Sequence, residues 1–391
     1  MATTATRSAP PGKVPPPPPP LKKFGQQLRD FWQRMTEGVQ LSQMWAQFRV
    51  DTRSSYDFYS REVSTEQGQL KGFHRAWAIA KQVFWSIMMK LSPARRVALL
   101  LALVLLVFPI SQIRIGDTYI DTEFLKVIGT LLLLFLLLLE VADRVTLKRD
   151  LQIAREIQLW LVPNAPPPVP GLELAFMNRP ANTVAGDYYD VFPRHIGGED
   201  TGHYIIIVAD VAGKSLPAAL LMATLQASLQ TLAALPGTLP ELVGRLNDYA
   251  CKNSNSGARF TTAFIAEYDP ASRSLTYINA GQNAPIVITD ARHLLRLTEG
   301  GVPLGIKPGT DYTASKLLLH PDDLMLIFTD GVVEAVTERL EEYGEPRLIA
   351  FAQRAVGPAD QILKSLQIEL DTYVGPARQH DDMTCVAVRA R

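Results

Sequence analysis

The chain has 391 residues, of which 47% are hydrophobic and 20% are charged, and its 39 basic side chains balance its 39 acidic ones. This composition excludes wholesale disorder, and the length allows about two or three domains of about 100–200 residues each. The two cysteines, Cys251 and Cys385, are too few for a disulfide framework or a cysteine metal finger, so a reducing compartment is favoured.

The N-terminal part of the chain is basic, with 15 Lys and Arg against 6 Asp and Glu up to Arg96. Residues 1–20 are rich in proline, which predicts a disordered or extended tail, with a ligand for an SH3-like domain as the alternative. Residues 21–93 predict basic helices with aromatic residues at helical spacing. Such helices either pack on one another or lie on an anionic membrane surface.

Two charge-poor segments, 97–113 and 124–142, are apolar and long enough to be transmembrane helices. The short acidic connection 114–123 predicts an external loop. Basic residues such as Arg96 and Arg144 flank the hairpin on its outer sides, so the positive-inside rule places both termini in the cytoplasm. The sequence thus predicts a multi-pass protein of the cell (inner) membrane, with a buried helical hairpin of a soluble protein as the alternative.

Residues 143–163 predict a helical linker. Its apolar seam has 4-3-4-3 spacing, which indicates a short coiled coil that would support a homodimer and transmit a rotation or a register shift. The seam residues are Leu147, Leu151, Ala154, Gln158 and Leu161. Prolines then end the helix, and residues 171–391 are predicted to form one α+β domain.

Four acidic clusters recur in this domain, three of them next to a strongly apolar strand. They are Ala185 to Asp190, Ala209 to Lys214, Phe328 to Gly331, and His380 to Thr384. A carboxylate at the end of a buried strand is costly unless it is paired, and few basic residues stand nearby in sequence. Several converging carboxylates therefore indicate a cation, and oxygen ligands suit Mg²⁺ or Mn²⁺. Two such ions that share a carboxylate can activate a water to hydrolyse a phosphate ester.

These motifs resemble the bacterial branch of the PPM-type metal-dependent serine/threonine protein phosphatases, of the SpoIIE/RsbU type, over about residues 151–391. Further matching motifs occur in the same order along the chain. They are Arg179 to Ala181, Pro217 to Leu220, Phe260 to Phe264, Asn279 to Pro285, Pro303 to Gly305, and Thr329 to Ala335.

The resemblance implies an α-β-β-α sandwich, in which two antiparallel sheets are flanked by helices and hold two Mn²⁺ or Mg²⁺ ions at one end. By the same resemblance, Asp210 would bridge the ions and the main-chain carbonyl of Val211 would bind one of them. Asp330 and Asp381 would bind the other ion. Asp187 would orient the activated water, which would attack a phosphoserine or phosphothreonine in line without a covalent phosphoenzyme.

Three features depart from that pattern or stay open. Some eukaryotic members carry a histidine, a probable general acid, where this chain has Ala212, so His380 is the nearest candidate for protonating the leaving group. Arg179 is expected either to contact the substrate phosphate or to form a surface ion pair. Asp190 is a weaker candidate for the site and could instead cap a turn.

The apolar helix predicted over 215–234 begins directly after the Asp210 loop. The resemblance implies that it switches position when an upstream signal completes the metal site.

The expected substrate is a phosphorylated regulatory protein, such as a STAS-type anti-sigma factor antagonist. The expected partners are this phosphorylated regulatory protein and membrane lipid. The acidic balance of the C-terminal part of the chain disfavours binding to nucleic acid. The alternatives are a catalytically silent scaffold that binds phosphoproteins and a structural Ca²⁺ domain, which the dispersed carboxylates disfavour.

Overall fold

The structure is a computed structural model. It describes residues 81, 84–85, 88–89, 91–107, 112–115, 118–121, 123–213, 216–253 and 259–391. The chain divides into two compact units, Met1–Leu139 and Glu140–Arg391. The predicted proline-rich tail, nearly all of the predicted basic region 21–93, and Lys214 and Ser215 lie outside the described residues.

Within the first unit, helix α1 spans Pro93–Val107, and strands β1 (Gln112–Ile115) and β2 (Thr118–Asp121) form an antiparallel pair. The predicted transmembrane helix 97–113 therefore differs from the structure at its C-terminal end, because residues 112 and 113 lie in strand β1.

Helix α2 runs over Glu123–Leu161 and contains the predicted span 124–142. Gly129 of α2 lies close to α1, because a Cβ added to it would stand 3.1 Å from the carbonyl oxygen of Ala102. Small residues at such a contact let two helix backbones approach each other, as in membrane helix pairs.

The second unit contains eleven strands and five helices beyond the end of α2 among its described residues. In chain order they are β3 (Leu172–Arg179), β4 (Tyr188–Ile196), β5 (Glu199–Val211), α3 (Leu216–Ala233), α4 (Leu239–Asn253), β6 (Thr261–Asp269), β7 (Ser274–Ala280), β8 (Ile286–Ile288), β9 (Leu294–Arg296), β10 (Gly300–Gly301), β11 (Ser315–Leu318), β12 (Leu324–Phe328), α5 (Asp330–Val333), α6 (Glu345–Arg354), α7 (Ala359–Val374) and β13 (Met383–Ala390).

The strands form two sheets. The six-stranded sheet has the order β10-β7-β6-β5-β4, with β11 also paired to β7, and the five-stranded sheet has the order β3-β13-β12-β8-β9. Every pairing is antiparallel except that of β10 with β7, which is parallel. Helices α3 and α4 lie against the six-stranded sheet, and α6 and α7 lie against the five-stranded sheet. The predicted α+β sandwich is confirmed, with β10 as a local exception to the antiparallel pattern.

Alternation along β12 shows where the core lies. Met325 and Ile327 join the cluster that contains the central residues of β5, whereas Leu326 and Phe328 join the cluster that contains α6 and α7. Successive side chains of a strand point to opposite faces. The five-stranded sheet therefore buries one face against the six-stranded sheet and the other against helices, and both faces read as apolar in the sequence.

Candidate active site

The predicted site residues of the six-stranded sheet lie at the ends of two neighbouring strands. Asp210 is the second-last residue of β5, and Asp187 comes directly before β4. The register pairs Tyr188 with Ala209 in antiparallel fashion. Asp187 and Asp210 are therefore brought to the same end of the sheet.

The five-stranded sheet contributes its residues in the same way. Asp330 lies two residues after the end of β12, and Asp381 lies two residues before the start of β13. The register pairs Phe328 of β12 with Cys385 of β13. Both acidic residues thus lie beyond the same end of this strand pair.

Hydrogen bonds join the two strand ends across the sandwich. The Thr329 hydroxyl donates to Asp187 Oδ2 at 2.8 Å, and the Thr384 amide donates to Thr329 Oγ1 at 3.1 Å. Asp382 accepts from the amides of Ala181 at 2.7 Å and Gly186 at 2.6 Å. The segment before Asp187 is therefore attached to the start of β13.

The electrostatics of Asp210 show that these carboxylates share one environment. Burial, together with the negative charges of Asp330, Asp381 and Asp382, raises the pKa of Asp210 to about 7. Burial, followed by the charge of Asp210, also raises the pKa of Asp187 well above its ordinary value. Each of these shifts reflects the cost of holding several negative charges in a confined, partly buried place.

Two glycines allow the close approaches that build the site. A Cβ added to Gly331 would lie 2.0 Å from the carbonyl oxygen of Asp382, so a side chain there would collide with the main chain. A Cβ added to Gly186 would lie 3.3 Å from the carbonyl oxygen of Val211 and from the Cβ of Ala218. The loop before Asp187 is thus packed close to the Val211 carbonyl and to the start of α3.

Gln282 joins the two sheets at this end and was not among the predicted site residues. Its side-chain amide donates to the carbonyl of Phe328 at 3.0 Å, and its oxygen accepts from the Thr262 hydroxyl. Thr262 is paired in register with Asp210, and Phe328 lies two residues before Asp330. The buried amide therefore connects the backbone next to one predicted metal ligand with the strand that leads to another.

The donor set fits hard divalent ions. The predicted ligands are carboxylate oxygens and one main-chain oxygen, and the mutual repulsion that raises the pKa of Asp210 would be relieved by a cation. Among the described residues, however, no group of three or more His, Cys, Asp or Glu side chains could hold a metal ion by itself. An ion here would complete its shell with the Val211 carbonyl and water, and Mg²⁺ commonly keeps several waters.

The remaining predicted residues lie elsewhere. Asp190 is buried within β4, where its Oδ2 accepts from the Tyr188 hydroxyl at 2.9 Å and from Gln230 Nε2 at 3.1 Å, so it attaches β4 to α3 and caps no turn. Arg179 forms an ion pair with Asp371 at the surface. His380 is exposed beside Asp381.

Three contributors to the site were missed by the sequence reasoning. Asp382 was quoted within its motif but given no role, and Thr329 and Gln282 lie in quoted motifs in the same way. The sequence signal that could have found them is a polar residue beside a strand that is apolar on both faces. A buried polar group at such a position needs a hydrogen-bond partner, because leaving it unsatisfied is costly.

Comparisons with known proteins agree with this architecture. Residues 200–391 match the family model described as Stage II sporulation protein E (SpoIIE). The SiaA-PP2C domain of Pseudomonas aeruginosa has a TM-score of 0.53 and 19% sequence identity, and the match covers 64% of this chain and 99% of that domain. This similarity shows the fold.

Curated relatives also match at the sequence level. Protein IcfG of Synechocystis sp. is 26% identical over 275 residues, which cover 64% of this chain and 42% of that protein. Phosphoserine phosphatase RsbU of Bacillus subtilis is 27% identical over 254 residues, which cover 63% of this chain and 71% of that protein. This chain thus spans less than half the length of IcfG. From the family match and the sandwich together, the C-terminal domain of this chain is a SpoIIE-family domain with the PP2C fold.

Proposed function

We propose that this chain is a membrane-anchored, metal-dependent protein serine/threonine phosphatase. The observation that carries the proposal is the cluster of carboxylates at the shared end of the two sheets, where burial and the neighbouring negative charges together raise the pKa of Asp210 to about 7. Perturbed carboxyl groups that are held by rigid strand ends are typical of active sites. The similarity to a relative named phosphoserine phosphatase supports the same conclusion.

Asp210, the Val211 carbonyl, Asp330 and Asp381 would hold two Mn²⁺ or Mg²⁺ ions. When bound, such ions neutralise charge on a phosphate ester and lower the pKa of water. The acidic donor set would repel the phosphate of a substrate without this compensation, so binding of the substrate also depends on the cations.

Asp187 orients the attacking water in this proposal. Its Oδ2 accepts from Thr329, which fixes the direction of the carboxyl group. Thr329 is held in turn by the Thr384 amide. Each group in this chain of contacts is fixed to a strand end, which limits the reorganisation that the reaction requires.

The proposed substrate is a phosphoserine or phosphothreonine on a regulatory protein, such as a STAS-type anti-sigma factor antagonist. Support comes from the family match and from the similarity to RsbU of Bacillus subtilis, which is a phosphoserine phosphatase by name. Incubation of the purified full-length protein with phosphorylated and unphosphorylated forms of such antagonists tests this specificity.

The membrane anchor is proposed from α1 and α2. Helix α2 is long and apolar enough to cross a membrane, and side chains such as Leu131, Leu134 and Leu138 are more than half exposed. Helix α3 also passes that test of length and composition, but Met222 and Leu229 are fully buried in the domain core. Apolar surface of this kind is costly in water at roughly 25 cal/mol per Å², so a bilayer is the favoured environment for the first part of α2.

The proposed topology places both termini and the phosphatase domain in the cytoplasm, as the flanking basic residues predict. A homodimer through the linker is proposed as well, since Leu147, Ile153 and Ile157 of α2 are exposed apolar residues. Cysteine cross-linking along 143–163 in membranes tests the dimer.

The activity is tested with full-length protein in detergent and a phosphoserine peptide. Hydrolysis is expected with Mn²⁺ and is expected to stop in EDTA. If the protein binds the phosphopeptide but releases no phosphate at saturating Mn²⁺ or Mg²⁺, the silent-scaffold alternative is the correct one.

A further inference from the structure

The end of helix α2 makes a specific contact with the loop that precedes Asp187. Gln158 is buried, and its Nε2 donates to the carbonyl of Ala185 at 2.6 Å. The Ala185 amide donates back to Gln158 Oε1 at 3.0 Å. One side chain thus satisfies both main-chain polar groups of a residue that lies two positions before Asp187.

This loop is held from two sides. Asp382 accepts from the amides of Ala181 and Gly186, whereas Gln158 binds Ala185, the residue next to Gly186. The first attachment comes from the start of β13 and is part of the sandwich. The second comes from a helix that begins at Glu123, outside the sandwich.

The position of Gln158 in the linker pattern supports a specific role. It occupies a seam position between the apolar residues Ala154 and Leu161, where a coiled coil favours an apolar side chain. In the structure, the nitrogen and the oxygen of the Gln158 side-chain amide both form hydrogen bonds with the backbone of Ala185. An amide that pairs with both backbone groups of one residue mimics the pairing of a neighbouring strand.

We infer that Gln158 is a positioning residue that sets the placement of the 181–187 loop, and hence of Asp187 against Asp210, from the linker helix. A rotation or shift of α2 would be transmitted to the loop through these two hydrogen bonds. Because Gly186 also lies close to the Val211 carbonyl and to Ala218, the loop is the point where the linker, the proposed metal ligands and α3 meet. This inference rests on the proposed phosphatase activity for its catalytic consequence, but not for its structural one.

The test uses full-length protein in detergent and three variants. Gln158→Met keeps the length of the side chain and removes both hydrogen bonds. Gln158→Glu keeps an acceptor for the Ala185 amide and removes the donor. Gln152→Met is the matched control, since Gln152 is an exposed glutamine of the same helix.

Hydrogen–deuterium exchange of residues 181–187 is measured in the presence of Mn²⁺, together with kcat, KM and the melting temperature. In Gln158→Met, exchange is expected to rise about tenfold and kcat to fall about tenfold, with KM unchanged, in the range typical of residues that orient a site. The kcat of Gln158→Glu is expected to lie between wild type and Gln158→Met, and Gln152→Met is expected to match wild type.

Unchanged exchange at 181–187 in a folded Gln158→Met protein would overturn the inference. If that variant does not fold, Gln158→Glu decides: wild-type exchange and wild-type kcat would overturn the inference, and a reduced kcat at constant KM would support it. If wild type itself hydrolyses no phosphoserine, the proposed function fails, whereas faster loop exchange in Gln158→Met still supports the positioning role.

Discussion

The Thr329 hydroxyl donates a 2.8 Å hydrogen bond to Asp187 and thereby links the end of the five-stranded sheet to the start of β4 in the six-stranded sheet. Thr329 is fully buried, and Asp187 is 2% exposed. This single contact joins two residues that are 142 positions apart in sequence. It makes the orientation of Asp187 depend on the packing of one sheet against the other.

Replacing Thr329 by valine is expected to lower kcat about tenfold with little change in KM, because valine keeps the shape but loses the hydroxyl that orients Asp187. Thr329→Ser keeps the hydroxyl and is the matched control, with activity within about threefold of wild type. Steady-state kinetics on a phosphoserine peptide check this prediction, and equal losses in both variants would argue against it.

The metal-free protein is expected to lose stability as the pH rises from about 5 to 7. The unfolded chain releases the Asp210 proton near its ordinary pKa of 3.8, whereas the folded chain holds it up to about 7. The folded state therefore binds more protons in this window, and the free energy of unfolding falls by at most about 1.4 kcal/mol per pH unit for this group.

Asp210→Asn removes that group, so its free energy of unfolding in EDTA is expected to depend less on pH than that of wild type. At pH 7 the variant is expected to be more stable by roughly 1–3 kcal/mol, although it binds metal poorly. Urea unfolding at pH 5, 6 and 7 checks both statements. Identical slopes for the two proteins would contradict the conclusion that burial and neighbouring charges raise the pKa of Asp210.

Gly331→Ala is expected to destabilise the domain by about 2 kcal/mol or more, because the new methyl group would lie 2.0 Å from the Asp382 carbonyl oxygen. Gly244→Ala in α4 is the control, since a Cβ there meets no atom within 4 Å. That change is expected to be neutral or stabilising by up to about 1 kcal/mol, as alanine favours helix. Thermal unfolding of both variants distinguishes steric crowding at the site from a general effect of removing a glycine.

Gln282→Leu is expected to destabilise the domain by roughly 1–3 kcal/mol, because the Phe328 carbonyl and the Thr262 hydroxyl lose their partner. The affinity of the variant for Mn²⁺ is expected to fall as well. Thr262 is paired in register with the proposed ligand Asp210, and Phe328 lies two residues before the proposed ligand Asp330. Calorimetric titration of Mn²⁺ measures the second effect. A destabilised variant with wild-type Mn²⁺ affinity would show that Gln282 serves stability alone.

The acidic residues at strand ends were visible in the sequence because each stands beside an apolar run and a turn. Asp187, Asp210 and Asp330 were found this way, and the sandwich followed from their resemblance to a known family. The contacts of Gln158 and Gln282 were not visible, because their partners are 27 and 46 residues away along the chain. Such pairings depend on strand order and register, which local periodicity does not specify.

Asp190 illustrates the same limit. Its motif places it next to the site residue Asp187, but the alternation of β4 directs it towards Tyr188 and Gln230. The sequence made Asp190 only a weaker candidate for the site, and its hydrogen bonds attach β4 to α3. In contrast, Asp382 lies beside a predicted ligand and supports the loop before Asp187.

The central claim is that carboxylates from both sheets hold the divalent ions that hydrolysis requires. The most direct measurement is phosphate release from a phosphoserine peptide by full-length protein, with Mn²⁺ binding measured in parallel, for wild type, Asp210→Asn, Asp330→Asn and the exposed control Asp311→Asn. Activity and tight Mn²⁺ binding are expected in wild type and Asp311→Asn, and loss of at least about 100-fold in kcat is expected in the other two. Wild-type activity in either Asp210→Asn or Asp330→Asn, or hydrolysis that persists in EDTA, would contradict the claim.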